Sequence, residues 1–362
     1  MAFQRLFLPA TTLVLIVSSF HAQPVDDDKC CVDSAAVYQP PKGCPHPHPA
    51  SMSPPPAGSS ESSVVFQSFH KSTNSTRAGI FSTGTPPPAP EPTRPPPPRC
   101  EPSPQSATLL CCCANIEYVA TEFYTQASMG RTMDYLDSSL AGNCTDPPRG
   151  GEKAYLSPSA EDMMRQIAYQ SLDHLKAIQL SLGSNKSCNR PGIDVSCSRF
   201  SRIVNDAMGH TLWPDFDWYK NDYTTLLGAY WFSGLLTKCY TGILDRCEGP
   251  ATNRLCGSLA AAKARQEMVI RTVLYQNFQH NVYPYKISVA EFTNRLSRYK
   301  DKLAGSNGTA DEGLWVPSCL GTGGSNSNMF SADSYGLPFS YNVTDGCDVV
   351  KAVLGPMAYN YK

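Results

Sequence analysis

The sequence predicts an all-α fold: a four-helix bundle with a long crossover, preceded by a disordered proline-rich stalk. Four long segments beyond residue 105 carry apolar residues at helical spacing. A long connection, Asp194 to Trp218, separates the second of these segments from the third, as in bundles that contain a crossover. Ahead of them, nineteen of the 31 prolines lie between Pro40 and Pro104, a composition that disfavours helix.

Two segments are predicted to precede the bundle. Residues 1–22 have the pattern of a secretory signal peptide, because Arg5 comes before the apolar run Leu6–Phe20 and Ala22 offers a cleavage point. Residues 23–104 form a proline/serine-rich stalk with too little apolar content to pack, so we expect it to be disordered. An O-glycosylated stalk and a plain flexible linker both fit this composition.

The first two helices are indicated by apolar spacing and by end signals. Helix two is predicted to begin at a cap, Ser159, with Asp162 at its third position, and to stop at Gly183. Each of the two helices therefore has one face suited to a bundle core. In helix one that face is made by Leu109, Leu110, Ile116, Val119, Phe123 and Ala127.

Three further helices complete the predicted bundle domain, residues 105–304. Helix three covers about Trp218–Asp245 and has a wide apolar face, and helix four covers about Thr252–Gln279. A shorter fifth helix opens at Ser288–Glu291, which has the pattern of a capping box. The remaining chain is rich in Gly, Ser and Asn, so residues 305–362 are predicted to form an irregular C-terminal wrap around the bundle.

Sequons and charge agree with an extracellular protein. A formal net charge of -1 gives no reason to expect nucleic acid as a partner. Beyond the signal there is no second hydrophobic stretch long enough for a membrane span. N-glycosylation is predicted at the five Asn-x-Ser/Thr sequons: Asn74, Asn143, Asn185, Asn307 and Asn342.

The 15 cysteines predict disulfides formed in an oxidising compartment. Cys111, Cys112 and Cys113 point to different sides of a helix and are expected to pair with separate partners, while Cys188 and Cys197 bracket one loop. An odd total leaves at least one thiol unpaired or paired with another chain. The candidate disulfide cysteines are Cys111, Cys112, Cys113, Cys144, Cys188, Cys197, Cys239, Cys247, Cys256, Cys319 and Cys347, and the candidates for intermolecular links are Cys30, Cys31, Cys44 and Cys100.

Several segments, in order, resemble the desiccation-related protein family, whose members carry a ferritin-like domain and are secreted. The resemblance covers about residues 105–357. It implies a secreted or wall-associated protein linked to water stress, and some ferritin-like relatives are credited with breaking down peroxide. The segments that carry it are Asn115–Tyr124, Tyr169–Leu175, Val269–Tyr275, Ile287–Thr293, Asp311–Pro317 and Ser331–Tyr335.

The resemblance implies a metal site that this chain has largely lost. A ferritin-like site takes one Glu from helix one, Glu-x-x-His from helix two, one Glu from helix three and Glu-x-x-His from helix four. Glu117 and His174 match two of these positions, but the helix-two Glu is Ser171 and helix three offers Asp222 only near its start. On helix four the expected pair is replaced by Lys263 and Gln266.

Lys263 argues most strongly against a bound metal. An ammonium about 5 Å from a divalent cation repels it by roughly 6 to 7 kcal/mol at an effective dielectric of about 20. Lys263 is therefore expected to replace the metal and neutralise Glu117 as a buried ion pair, unless its amine extends to solvent. If the site survives, iron or manganese would be held by Glu117, His174 and Glu122.

These observations favour a secreted glycoprotein with a degenerate ferritin-like domain and no catalytic residues or cofactor. It would be a structural or protective component of the cell wall or extracellular matrix, with matrix components as partners. One alternative is a peroxide-decomposing, catalase-like metalloenzyme that uses iron or manganese. Another is a matrix subunit that assembles with itself through disulfides of the stalk.

Overall fold

The computed structural model describes residues 101–141, 146–183, 188–305, 311–333 and 335–359. The predicted signal peptide and nearly all of the predicted stalk lie outside these residues. Also outside them are the sequons at Asn74, Asn143, Asn185 and Asn307 and the cysteines Cys30, Cys31, Cys44, Cys100 and Cys144.

Four long helices form a bundle, which confirms the predicted all-α fold. They are α1 (Pro104–Met129), α3 (Pro158–Leu182), α5 (Asp222–Gly242) and α6 (Pro250–Gln276), with one helical turn, α2 (Met133–Leu136), after α1. α1 packs against α3 and α5, and α6 packs against α5 and α3, so each long helix has two neighbours. Among the helices that the structure describes, none has the length and apolar character needed to cross a membrane.

The start of α3 is set by a serine and a proline. Ser157 caps the helix, because its hydroxyl accepts a hydrogen bond from the Ala160 amide at 3.4 Å. Pro158 suits the first helical position, where its missing N–H has no intrahelical partner to lose. The predicted cap, Ser159, therefore lies inside the first turn, and the predicted stop at Gly183 is the residue that follows the helix.

α5 begins later than its apolar pattern suggests. Asn221 and Thr224 form a reciprocal capping box, so the helix starts at Asp222 rather than at Trp218. α6 begins slightly earlier than predicted, because Pro250 occupies its first position. In both helices, the residues at the N-terminal end, rather than the apolar pattern, determine where the helix begins.

The fifth predicted helix is α7 (Val289–Ala304). The Ser288 hydroxyl accepts from the Glu291 amide at 3.2 Å, which is one half of the expected capping box. The Glu291 carboxylate accepts from Arg295 Nε at 2.5 Å, one turn further along the helix. α7 packs on the outside of α5 and ends at Gly305, which has a left-handed conformation.

The crossover between α3 and α5 contains the short helix α4 (Cys197–Met208), which contributes an aromatic ring to the core. Phe200 of α4 stacks on Trp218 with ring centroids 4.3 Å apart, and Phe123 of α1 meets both rings edge-on. Gly228 of α5 permits this packing, because a Cβ there would lie 2.3 Å from the Trp218 ring. The crossover is thus part of the hydrophobic core.

The C-terminal wrap is largely irregular between 311 and 359, with one short helix, α8 (Asp348–Leu354). α8 contacts α7 and α1. Two short strands, β1 (Gly192–Ile193) and β2 (Ala358–Tyr359), pair in antiparallel register and join the crossover to the end of the wrap. The wrap is therefore attached to the outside of the bundle at several separate places.

Disulfides add covalent attachments. The described pairs are Cys111–Cys188, Cys112–Cys347, Cys113–Cys239 and Cys247–Cys256, and Cys319 is disulfide-bonded as well. The three consecutive cysteines of α1 thus reach three different parts of the chain: the crossover, the wrap and α5.

Cys197, predicted among the disulfide cysteines, is a free thiol. That prediction is wrong because Cys188, on the other side of the same loop, pairs with Cys111. The Cys197 sulfur lies 3.3 Å from Asp217 Oδ1 and 3.5 Å from Glu152 Oε1. Burial and these two carboxylates raise the pKa of the Cys197 thiol well above its usual range.

Candidate functional site

The predicted metal-site positions meet in the middle of the bundle. All four long helices contribute to this group, which we call the inner centre. Its members are Glu117 of α1, Ser171 and His174 of α3, Tyr240 of α5, and Lys263 and Gln266 of α6.

Lys263 lies at the middle of the inner centre, with its side chain fully buried. Its ammonium donates to Glu117 Oε1, to Ser171 Oγ at 3.0 Å and to Gln266 Oε1 at 3.0 Å. An ammonium has three N–H donors, so these three acceptors satisfy it completely. The amine is therefore directed into the bundle and held there.

Glu117 is the only charged partner among those three acceptors, and it has further contacts of its own. Its other oxygen accepts from the Tyr240 hydroxyl at 3.2 Å, and His174 Nδ1 lies 3.6 Å from Oε1. Burial alone would raise the pKa of Glu117, but Lys263 and His174 outweigh it and lower that pKa to about 2. Glu117 is thus a carboxylate, and the pair is ionic.

The polar atoms that remain at the former ligand positions are already engaged. Ser171 Oγ and Gln266 Oε1 both accept from the ammonium, and the Gln266 amide nitrogen donates to Gln170 Oε1 at 2.9 Å. One carboxylate and one imidazole are left for a cation, which is fewer donors than iron or manganese takes. The residues present do not fit a metal centre of the ferritin-like kind.

Glu122, the third donor of the alternative metal set, belongs to a different place. Five residues along a helix turn it about 140° from Glu117. Its carboxylate accepts from Gln126 Nε2 and from the Met133 amide, both at 2.9 Å. Burial raises the pKa of Glu122 to about 7. The set of Glu117, His174 and Glu122 is therefore wrong as a common ligand group.

Among the described residues, three potential metal ligands of the His, Cys, Asp or Glu type converge at a different place. Glu152, Cys197 and Asp217 have ligand atoms within 4.8 Å of one another. The carboxylate at the start of α5, Asp222, is far from the inner centre and accepts from the Ser157 amide at 2.8 Å. α5 supplies a phenol, Tyr240, where a ligand carboxylate would be expected.

A second buried group of charges, missed by the sequence reasoning, joins the wrap to the bundle. In this group, the wrap centre, Asp311 pairs with Lys238 of α5 at 3.2 Å and with Lys300 of α7 at 2.5 Å. All three side chains are at most 3% exposed. Lys300 also lies over the Tyr230 ring, 4.4 Å from its centroid.

Gly234 makes room for the wrap centre on the surface of α5. A Cβ there would lie 2.9 Å from Lys300 Nζ and 3.5 Å from both Lys238 Nζ and Glu267 Oε1. Burial would raise the pKa of Asp311, but Lys238 and Lys300 outweigh it and lower that pKa to about 2. Lys238, inside an apolar stretch of α5, is a sequence signal for this centre, but its partner could not be identified from spacing.

Arg271 of α6 reinforces the attachment of the wrap. Its side chain, 1% exposed, donates to four backbone carbonyls of the wrap and approaches the Tyr230 hydroxyl at 3.3 Å. The carbonyls belong to Glu312, Gly313, Asn328 and Met329, at 2.7 to 3.3 Å. One guanidinium therefore binds two separate irregular segments of the wrap.

Comparisons with known proteins agree with this architecture. Residues 106–276 match the family described as Ferritin-like domain. The chain is similar to Desiccation-related protein PCC13-62 of Craterostigma plantagineum, with 38% identity over 226 residues, 62% of this chain and 71% of the relative. It is also similar to Ferritin-like catalase Nec2 of Nesocodon mauritianus, with 33% identity over 233 residues, 64% of this chain and 73% of the relative. No solved structure matches the chain.

Proposed function

Since this chain belongs to the desiccation-related proteins with a ferritin-like domain, we propose that it is a secreted, non-catalytic glycoprotein with a structural or protective role in a cell wall or extracellular matrix. The bundle serves as a rigid, disulfide-braced module. The proline-rich segment before it gives reach and attachment.

One observation carries the non-catalytic part of the proposal: Lys263 occupies the inner centre with its ammonium fully hydrogen-bonded. A cation entering this site would have to break the Lys263–Glu117 pair and remain beside a buried positive charge. The Lys263–Glu117 pair takes the place of a metal ion in the fold, because it neutralises a carboxylate that is buried among four helices.

The secretory part of the proposal is supported by the cysteines. Nine described cysteines are disulfide-bonded, which fits an oxidising compartment. The relative named as desiccation-related favours a role in water stress. Components of the cell wall or extracellular matrix are the proposed partners.

A second candidate function is peroxide decomposition with iron or manganese. It is favoured by the relative named as a ferritin-like catalase and by the survival of Glu117 and His174. In that case the two residues would hold one metal ion, which would supply the redox chemistry. The two functions differ at Lys263: the non-catalytic protein keeps the Lys263–Glu117 pair, whereas a bound metal ion would have to break it.

An assay of peroxide consumption by the purified, secreted protein distinguishes the non-catalytic role from peroxide decomposition. We expect no oxygen release above that of heat-denatured protein, with or without added iron or manganese. A double variant, Lys263→Glu with Ser171→Glu, removes the ammonium and restores two carboxylates, and we expect it to bind manganese. Oxygen release by the wild type that disappears in Glu117→Gln but persists in Glu122→Gln would overturn the proposal.

A further inference from the structure

One sequon, Asn342-Val343-Thr344, lies within the described residues and has a regular alternation of burial. Tyr341 and Val343 are 3% and 0% exposed, whereas Asn342 and Thr344 are exposed. The segment is held to the bundle, because the Tyr341 amide donates to the Lys238 carbonyl at 3.1 Å. Both side chains that define the sequon therefore point away from the core.

Asn342 also lines an open groove of about 580 Å³ between the wrap and the end of α5. The opposite wall is formed by the last residues of α5 and the 3-10 turn that follows, Leu244–Arg246. Gly242 allows the two walls to meet at the base, because a Cβ there would lie 2.0 Å from the Tyr341 carbonyl oxygen. The other lining residues are Thr241, Ser340 and Tyr341.

We propose that Asn342 carries an N-linked glycan and that the first sugars of this glycan lie in the groove. The inference rests on the secretion that is part of the proposed function, since N-glycosylation occurs in the secretory pathway. Beyond the predicted sequon, it adds a binding surface for the sugar. The glycan would then bridge the wrap and the turn after α5.

The lining of the groove has the mixed chemistry that a sugar needs. Leu244 is 39% exposed and offers an apolar surface to the C–H face or the acetyl methyl of N-acetylglucosamine. Asp245 and Arg246 provide an acceptor and donors for hydroxyl and amide groups, and Thr241 and Ser340 add hydroxyls. Arg246 is already oriented, because it donates to the Gly242 carbonyl at 3.1 Å.

The attachment is tested by peptide mass spectrometry of protein secreted from a eukaryotic host. We expect the peptide containing Asn342 to carry hexose and N-acetylhexosamine, and to lose them in Thr344→Ala but to keep them in Thr344→Ser. An unmodified Asn342 in a protein whose other sequons are modified would overturn the inference and leave secretion intact. Failure of secretion itself would instead contradict the proposed function.

The seat in the groove is tested by hydrogen exchange on the same samples. Relative to Thr344→Ala, the glycan should slow exchange of the amides of residues 241–246 by about fivefold, because it stabilises the turn locally. Leu244→Ser should abolish this protection while Asn342 remains glycosylated, and Leu320→Ser, at another partly exposed leucine, should not. Equal exchange with and without the glycan would show that the sugar extends into solvent and would overturn the seat.

Discussion

The inner centre and the wrap centre are both buried charge clusters, but they join different kinds of structure. In the inner centre one carboxylate, Glu117, meets one ammonium, Lys263, and neutral hydrogen-bonding groups complete the set. In the wrap centre one carboxylate, Asp311, serves two ammonium groups and arrives from irregular chain. The inner centre thus fixes helices that are already packed, whereas the wrap centre holds a segment with little helix of its own.

The two clusters therefore contribute to stability in different parts of the protein. Removing one charge of the inner centre leaves its partner buried without an opposite charge, but the apolar contacts of the bundle remain. Loss of Asp311 leaves two buried lysines without that carboxylate and also removes an attachment of the wrap. The wrap centre should therefore be the more sensitive of the two.

The largest effect is expected for Asp311→Asn. Removing one partner of a buried ion pair typically destabilises by about 3–5 kcal/mol, and here two ammonium groups lose their shared partner. Urea unfolding should show this loss of unfolding free energy. Asp345→Asn, at an exposed aspartate of the same wrap, is the control and should change stability by less than about 0.5 kcal/mol. Equal stability of the two variants would contradict the role of the wrap centre.

The next effect is expected at the inner centre for Lys263→Met. The single change leaves Glu117 buried without its cation and should destabilise by about 3 kcal/mol. Combining it with Glu117→Gln removes both charges, and the double variant should recover to within about 1 kcal/mol of the wild type. Additive losses in this double-mutant cycle would mean that the two residues do not act as a pair.

A smaller, pH-dependent effect should separate the two carboxylates that are paired with lysines from two carboxylates whose pKa burial raises. Glu117 and Asp311 have folded pKa values of about 2, against 4.5 and 3.8 unperturbed, so their stabilisation is present above about 4.5 and is lost as pH falls through 2. Burial raises the pKa of Glu312, beside the wrap centre, to about 7, so its contribution is full below 4.5 and is lost as pH rises through 7.

Glu122 follows the same rule as Glu312, since its pKa is also raised to about 7. Stability measured by urea unfolding should therefore be highest near pH 4.5 and fall toward pH 7.5. Glu312→Gln and Glu122→Gln should each remove part of that fall, with no change in the loss on the acid side. A stability that rises steadily from pH 4.5 to 7.5 would contradict these assignments.

The smallest effect concerns Cys197, which belongs to neither centre. Its thiol should remain protonated at neutral pH and react slowly with alkylating reagents, because burial and two carboxylates disfavour the thiolate. Asp217→Asn removes one of those carboxylates and should speed alkylation at pH 8, with stability measured in parallel. Alkylation of the wild type as fast as that of a small free thiol would contradict the structure here.

The bundle could be predicted from the sequence because its four long helices carry apolar residues at helical spacing. The end of α3 at Gly183 followed from glycine, but its start did not, since Ser157 and Ser159 offer the same cap and Pro158 decides between them. That Cys197 is a free thiol could not be predicted from the neighbouring sequence either. Its loop neighbour, Cys188, is taken by a cysteine of α1 far away in sequence.

The candidate site shows the same division. Glu117, Ser171, His174, Lys263 and Gln266 could be placed together because the resemblance to the ferritin-like family assigns each of them a ligand position of one metal site. Tyr240 was not predicted, because the ferritin-like pattern asks for a carboxylate on that helix. The wrap centre could not be predicted, because nothing in helical spacing indicates which irregular residue will reach a buried lysine. Asp311 is identified only once the path of the wrap is known.

Measuring the metal content of the natively purified, secreted protein decides whether Lys263 has replaced a metal ion in the inner centre. Elemental mass spectrometry after dialysis against iron and manganese should find less than about 0.1 equivalents per chain, because the Lys263 ammonium repels a divalent ion. One or two equivalents per chain, lost on His174→Ala but retained in His280→Ala, would show that the inner centre holds metal and would contradict the account.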